Sequence, residues 1–358
     1  MMLANTTSRH ASAASDVQIG GHRQPLMGAP LSRRRGLDLT LKDRNVVSIN
    51  DLSDDEIRLI LDTAERISEL AARDEHPDLL GGWVLSTLFF EPSTRTRLSF
   101  ESAMKRLGGD VIGFQEGAST SATKGETLAD TIRMVSGYSD AAVLRHSREG
   151  AARMCTQFAT IPIINGGDGS GQHPTQTLLD LYTIRRYCGK IEGVKVALVG
   201  DLKYGRTVHS LAYALARFGA RITLVAPRSL EMPSEIIRAL AERGVAPRIE
   251  VSLEAVIPDA DVLYMTRIQK ERFPDAEEYA KVAGSYRLTV PALKAAKSGA
   301  IVLHPLPRVD EIDTAVDGTP HAKYFEQAQH GVHVRMALLA LVLRGEEVLK
   351  ELHGGRPT

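Results

Sequence analysis

Two threonines, a serine and a guanidinium stand together at Ser93-Thr94-Arg95-Thr96, and that set of donors can surround a phosphate. The segment before it, Trp83 to Phe90, is an apolar run of β type. The segment after it carries Leu98, Ala103, Met104 and Leu107 at three- and four-residue intervals, the period of a helix. The tetrapeptide therefore falls where a strand turns into a helix. A helix N-terminus exposes unpaired backbone N–H groups and the positive end of the helix dipole, so it attracts anions. The Gly-x-x-x-x-Gly-Lys of a nucleotide P-loop does not precede it. Read singly, the tetrapeptide is more simply a serine cap followed by surface arginines. Three further polar groups at strand ends weigh against that simpler reading.

The first is His173-Pro174-Thr175-Gln176, after the glycine-rich stretch from Gly166 to Gly171. The second is Gly200 to Thr207, which includes Arg206 and follows the apolar run Val196 to Val199. The third is His304-Pro305-Leu306-Pro307-Arg308, after Ile301 to Leu303. Arg145 ends another apolar run, and Thr266-Arg267-Ile268-Gln269 closes a fifth. Taken one at a time these are loop residues and solvated charges. Their repeated placement after apolar runs is what suggests a common site.

Stepping from strand end to strand end requires regular β–α alternation, and the chain supplies it. Strands are expected at 83–90, 110–115, 141–146 and 161–165, with helices at 95–107, 125–138, 150–159 and 174–188. A second series follows, with strands at 195–200, 221–226, 248–252, 261–266 and 300–304 and helices near 206–218, 233–243 and 289–297. Ala322 to Leu349 reads as a final helix. Such alternation implies an α/β protein with two doubly wound parallel-sheet domains. Ligands of such sheets bind outside the carboxyl ends of the strands, so the active site is expected in the cleft between the domains.

Composition agrees with a folded chain of this class. Of 358 residues, 43% are hydrophobic and 25% charged, near the globular average. Lysine plus arginine equals aspartate plus glutamate at 44 each, which argues against nucleic acid or a membrane surface as partner. A cationic site must then arise by local concentration. No apolar run approaches bilayer length. Cys155 and Cys188 have neither a paired spacing nor a metal-ligand grouping, and read as idle thiols in a reducing compartment. Neither a metal nor a cofactor is expected.

The four motifs at Ser93–Thr96, His173–Gln176, Gly200–Thr207 and His304–Arg308, with the intervening Lys124-Gly125-Glu126-Thr127, resemble the aspartate/ornithine carbamoyltransferase family, and within it the aspartate branch. The resemblance covers roughly residues 45 to 350, with the motifs in the family's order. It implies a carbamoyl phosphate-binding domain at 45–188 plus a returning helix at 322–352, an aspartate-binding domain at 189–321, and a disordered or leader segment at 1–44. The substrates implied are carbamoyl phosphate and L-aspartate, and the products N-carbamoyl-L-aspartate and phosphate, in pyrimidine synthesis. Ser93, Thr94, Arg95 and Thr96 would hold the phosphate. Arg145 would touch phosphate and carbonyl oxygen, His173 would donate to that oxygen, and Gln176 would hold the carbamoyl amine. The backbone carbonyls of Pro305 and Leu306 would line the same side. Arg206, Thr207, Arg267 and Gln269 would take aspartate, since two forked guanidiniums suit two carboxylates. The ornithine branch usually has His-Cys-Leu-Pro where this chain has His304-Pro305-Leu306-Pro307.

Lys124 lies in the small, polar stretch Gly117 to Gly125, which reads as a mobile lid loop. The family places the matching lysine, and a serine three residues earlier, in a neighbouring subunit's site. This gives Lys124 a role towards both substrates and makes Ser121, or Thr120 beside it, a carbamoyl phosphate ligand. A homotrimer with shared active sites follows from that placement, with further assembly on regulatory chains left open. The alternatives are a carbamoyltransferase acting on ornithine or another amine, and a non-catalytic family member. A nucleotide-dependent α/β kinase lacks its glycine-rich loop. Residues 1 to 37 are arginine-rich and hold one acidic residue, Asp16. That composition fits a disordered leader of a cytoplasmic protein, with organelle import as the other reading.

Overall fold

The computed structural model describes residues 40–115, 125–268, 276–282 and 284–353. The folded chain from Leu39 onward is one compact unit. Ser121, Lys124 and Gln269 lie outside the described residues.

The chain enters through helix α1, Asp54–Ala72. A capping box starts it. The Ser53 hydroxyl accepts the Glu56 N–H at 3.1 Å, and the Glu56 carboxylate accepts the Ser53 N–H at 2.7 Å. Ile57, Ile60, Leu61, Ala64 and Ile67 then recur on one buried face. A β–α series follows: β1 Val84–Phe89, α2 Thr94–Arg106, β2 Asp110–Gln115, α3 Leu128–Val135, β3 Ala141–His146, α4 Ala151–Cys155, β4 Ile163–Asp168 and α5 Pro174–Cys188. The strands form a four-stranded sheet in the order β2-β1-β3-β4, and every pairing is parallel.

Gly189, in the left-handed region at φ 74°, ends α5. The second series is β5 Lys195–Val199, α6 Arg206–Arg217, β6 Arg221–Val225, α7 Ser234–Ala241, β7 Arg248–Glu250, β8 Val262–Met265, α8 Ala276–Val282, α9 Val290–Leu293 and β9 Ile301–Leu303. It forms a five-stranded parallel sheet in the order β7-β6-β5-β8-β9. The chain closes with α10 Tyr324–Arg344 and α11 Glu347–Leu352. Helix α10 packs against α1, α2 and α5, elements of the first series.

Two features of this arrangement position the site. In each sheet the strand order reverses direction beside the first strand, between β1 and β3 and between β5 and β8. Loops leaving adjacent strands on opposite sides open a crevice there. The register then sets which residues are neighbours. Phe89 is paired with Arg145, Val199 with Met265, and Tyr264 with Leu303. So the Glu91–Thr96 turn emerges beside Arg145, and the Gly200–Thr207 turn beside Thr266 and Arg267, with His304 one strand further on. Helix α5 is buried from Pro174 to Ile184 and packs on α1, α6 and α10, so it joins the two halves. One hydrophobic core runs through both.

Candidate active site

A cavity of about 780 Å³ sits where the strand ends of both sheets meet. Its lining includes Ser93, Thr94, Arg95, Thr96, Arg145, His173, Gln176, Arg206, Thr207, Arg267, Pro305 and Leu306. Every expected site residue that the structure describes is therefore in one cavity. Glu91, Gln327 and Arg335 line it as well, and the sequence reading gave them no role.

Three helices point their N-termini at this space: α2 through Ser93 to Thr96, α5 through His173 and Gln176, and α6 through Gly205 to Thr207. None of the three has a side-chain cap. Ser93 stands at the N-cap of α2, yet its hydroxyl makes no capping bond, which removes the simpler reading of that serine. Uncapped N-termini leave backbone donors and positive dipole ends facing the cavity.

The charges reinforce them. Among the described residues, the lining holds Arg95, Arg145, Arg206, Arg267 and Arg335 against a single carboxylate, Glu91. A chain with no net charge thus concentrates cations in one place. Burial, and then the charge of Arg267, lower the Arg95 guanidinium from its ordinary value. Cations brought this close in a recess are poised for an anionic ligand that neutralises them. Arg97, two residues on, is built differently: its Nε donates to Glu101 Oε1 at 2.6 Å, an i,i+4 pair along α2. Of the two arginines in the motif, Arg95 belongs to the site and Arg97 to the helix.

Glu91 ties the halves together. Its Oε2 lies 3.1 Å from Arg145 Nη2 on the first sheet and 3.4 Å from Arg206 Nη1 at the start of α6. Arg145, 9% exposed, also donates to the Gly166 carbonyl at 3.2 Å, and Arg206 donates to the Gly169 carbonyl at 2.6 Å. These contacts hold both guanidiniums from the end of β4 and the turn that follows it.

His173 is 4% exposed and its Nδ1 has no hydrogen-bond partner. Burial, followed by the charges of Arg206, Arg145 and Arg335, holds the imidazole well below its ordinary range. It is therefore neutral, with one ring N–H to donate and no tendency to take a proton. Its backbone N–H donates to Ser210 Oγ on α6 at 3.1 Å, which fixes the residue against the second half. The loop at Pro305 and Leu306 is held by its own histidine. Leu306 N–H donates to His304 Nδ1 at 2.8 Å, and His304 Nε2 lies 2.6 Å from Glu311. The Glu311 carboxylate in turn accepts the Val309 and Asp310 N–H groups at 3.1 Å each.

A cavity with an anion-binding end, neutral donors beside it and a second group of guanidiniums fits a phosphorylated substrate together with a carboxylate co-substrate. The model of the aspartate/ornithine carbamoyltransferase carbamoyl-P binding domain matches residues 44–186, and that of the family's Asp/Orn binding domain matches residues 192–342. The chain belongs to the aspartate/ornithine carbamoyltransferase family. It is 57% identical over 302 residues to the aspartate carbamoyltransferase catalytic subunit of Thermococcus onnurineus, covering 84% of this chain and 97% of that one. The corresponding carbamoyltransferase subunit of Chromobacterium violaceum is 57% identical over 300 residues, covering 84% and 98%. Among solved carbamoyltransferase structures, the catalytic subunit from M. jannaschii superposes with a TM-score of 0.78 at 51% identity, over 87% of this chain and all of that one. The Trypanosoma cruzi enzyme in complex with carbamoyl phosphate and aspartate gives 0.81 at 42%, over 85% and 98%.

Proposed function

We propose that this protein transfers the carbamoyl group of carbamoyl phosphate to the amine of L-aspartate, releasing N-carbamoyl-L-aspartate and phosphate in pyrimidine synthesis. The observation that carries the reading is the convergence of three uncapped helix N-termini and five arginines on one cavity at facing strand ends. Ser93, Thr94, Arg95 and Thr96 take the phosphate. Thr96, Arg145 and His173 donate to the carbonyl oxygen as the amine attacks and negative charge grows there. Each such donor is worth about 10²- to 10³-fold in turnover. Neutral His173 suits this work, since a donor that keeps its proton stabilises the oxyanion without giving it up. Gln176 holds the carbamoyl amine, and the Pro305 and Leu306 carbonyls line that side. Holding the amine in line with the carbonyl carbon supplies much of the rest, and no side-chain nucleophile is needed.

Arg206, Thr207 and Arg267, with Gln269, take the two carboxylates of aspartate. Arg267→Ala should raise the aspartate KM at least tenfold and lower kcat, while carbamoyl phosphate binding in a calorimeter changes less than about threefold. Equal losses for both substrates would take Arg267 out of the aspartate subsite.

The working form in this reading is a cytoplasmic homotrimer, in which Ser121 and Lys124 complete a neighbour's site. Strand β2 is a sheet edge with Ile112 exposed, and Leu98 on the adjacent α2 is exposed too. An apolar edge of this kind is suited to burial against another copy. Among the described residues, no helix is long and apolar enough to cross a membrane.

A further inference from the structure

Asp180 is wholly buried, one turn beyond Gln176 on α5, and is not itself part of the cavity lining. Its Oδ1 accepts the side-chain amide N–H of Gln176 at 2.8 Å and that of Gln327 at 2.6 Å. Its Oδ2 accepts the Tyr264 hydroxyl at 2.8 Å. Gln176 comes from the first half of the chain, Tyr264 from β8 of the second sheet, and Gln327 from α10. The Gln327 side-chain oxygen then accepts the His304 N–H at 2.8 Å, at the start of the loop that carries Pro305 and Leu306.

The consequence lies in which end of Gln176 faces the cavity. A primary amide can turn either its oxygen or its nitrogen towards a ligand. With the nitrogen committed to Asp180, the oxygen is the end left to face outward, and an amide oxygen only accepts. Burial pushes the Asp180 carboxyl up to about 7. Yet Oδ1 remains an acceptor in both protonation states, because the acid proton can sit on Oδ2 against Tyr264. The orientation of Gln176 is therefore independent of the charge on Asp180.

We propose that Asp180 is a positioning residue for substrate choice: by holding the Gln176 nitrogen it presents the Gln176 oxygen as an acceptor for the carbamoyl NH₂, so that acyl phosphates without an N–H are rejected. The proposal rests on the reading of Gln176 as the residue that holds the carbamoyl amine. A site built to bond an N–H discriminates strongly against an analogue lacking it, because its own polar group is left unpaired.

Acetyl phosphate keeps the phosphate and carbonyl and replaces NH₂ by CH₃, so the ratio of kcat/KM for carbamoyl over acetyl phosphate reads the effect directly. Asp180→Leu should lower that ratio at least tenfold, chiefly through the carbamoyl substrate, with inorganic phosphate binding unchanged. Asp180→Asn keeps an acceptor towards the two glutamines and can donate to Tyr264, so it should retain the ratio within about threefold. Gln176→Leu should collapse the ratio on its own, and adding Asp180→Leu to it should change the ratio no further. Should Asp180→Leu not fold, Asp180→Leu with Gln327→Leu and Tyr264→Phe removes two of the three orphaned donors, leaves Gln176 free to turn, and serves in its place. A folded Asp180→Leu protein with the wild-type ratio would overturn the proposal, as would an Asp180→Asn protein that loses it. An unchanged ratio in Gln176→Leu would instead remove Gln176 from the amine subsite, which is a failure of the underlying reading and not of Asp180.

Discussion

At the scale of single residues, the site depends on groups whose protonation is settled by their surroundings. His173 is the clearest case. Because its folded-state value lies well below the ordinary 6.5, the unfolded chain takes up this proton first, so the residue's contribution to stability is lost progressively as pH falls from 6.5 towards the lower folded-state value. Across the assay range it stays neutral. His173→Gln should therefore cut turnover about 10²-fold by a factor that is flat between about pH 5.5 and 8. A wild-type to variant ratio that changes tenfold across that interval would show the imidazole titrating, contrary to the geometry. Strand-end placement and the family resemblance together single out Arg95, Arg145, His173, Arg206 and Arg267, which residue type alone leaves as loop residues and solvated charges. Glu91 and Asp180 were not legible, although Glu91 sits inside the first motif. Their roles depend on partners 115 residues away in Arg206 and 84 and 147 away in Tyr264 and Gln327, and spacing along the chain carries no trace of such contacts.

At the scale of elements, what matters is how tightly the turns bring these groups together. Gly167, near the end of β4 at φ 112°, is where three of these groups crowd the backbone. A Cβ there would lie 2.8 Å from Arg145 Nη1, 3.2 Å from the His173 ring and 3.3 Å from Arg206 Cζ. The backbone conformation also disfavours any side chain. Gly167→Ala should lower kcat/KM by about two orders of magnitude, since donors displaced by even an ångström lose alignment. The far-UV circular dichroism should stay that of the parent. A variant of parental activity would mean that Arg145, His173 and Arg206 need not crowd this glycine. The strands and most helices were readable from apolar runs and turn residues. Their ends were less so: the stretch expected as a helix at 289–297 is helical only over Val290–Leu293, followed by turns. Helix α1 does carry a local signal, since Ser53 to Glu56 spells a capping box ahead of a periodic apolar face. Helix α8, Ala276–Val282, lies where no helix is expected from the sequence pattern.

At the scale of the whole molecule, two parallel sheets with facing strand ends make one site, and Glu91, Asp180 and Ser210 fasten the halves across it. If Lys124 also completes a neighbour's cavity, inactive Lys124→Ala and Arg95→Ala proteins should regain activity when dissociated, mixed and reassembled, because some interfaces then pair two intact residues. Mixed trimers confirmed by mass but without activity would place Lys124 in its own subunit. The central claim concerns the reaction, and it is tested most directly by supplying carbamoyl phosphate with L-aspartate or with ornithine and measuring both phosphate and ureido product. The account expects stoichiometric phosphate and N-carbamoyl-L-aspartate from aspartate, at a rate at least a hundredfold above that with ornithine. Comparable or faster carbamoylation of ornithine, or phosphate release without carbamoyl-aspartate, would contradict it.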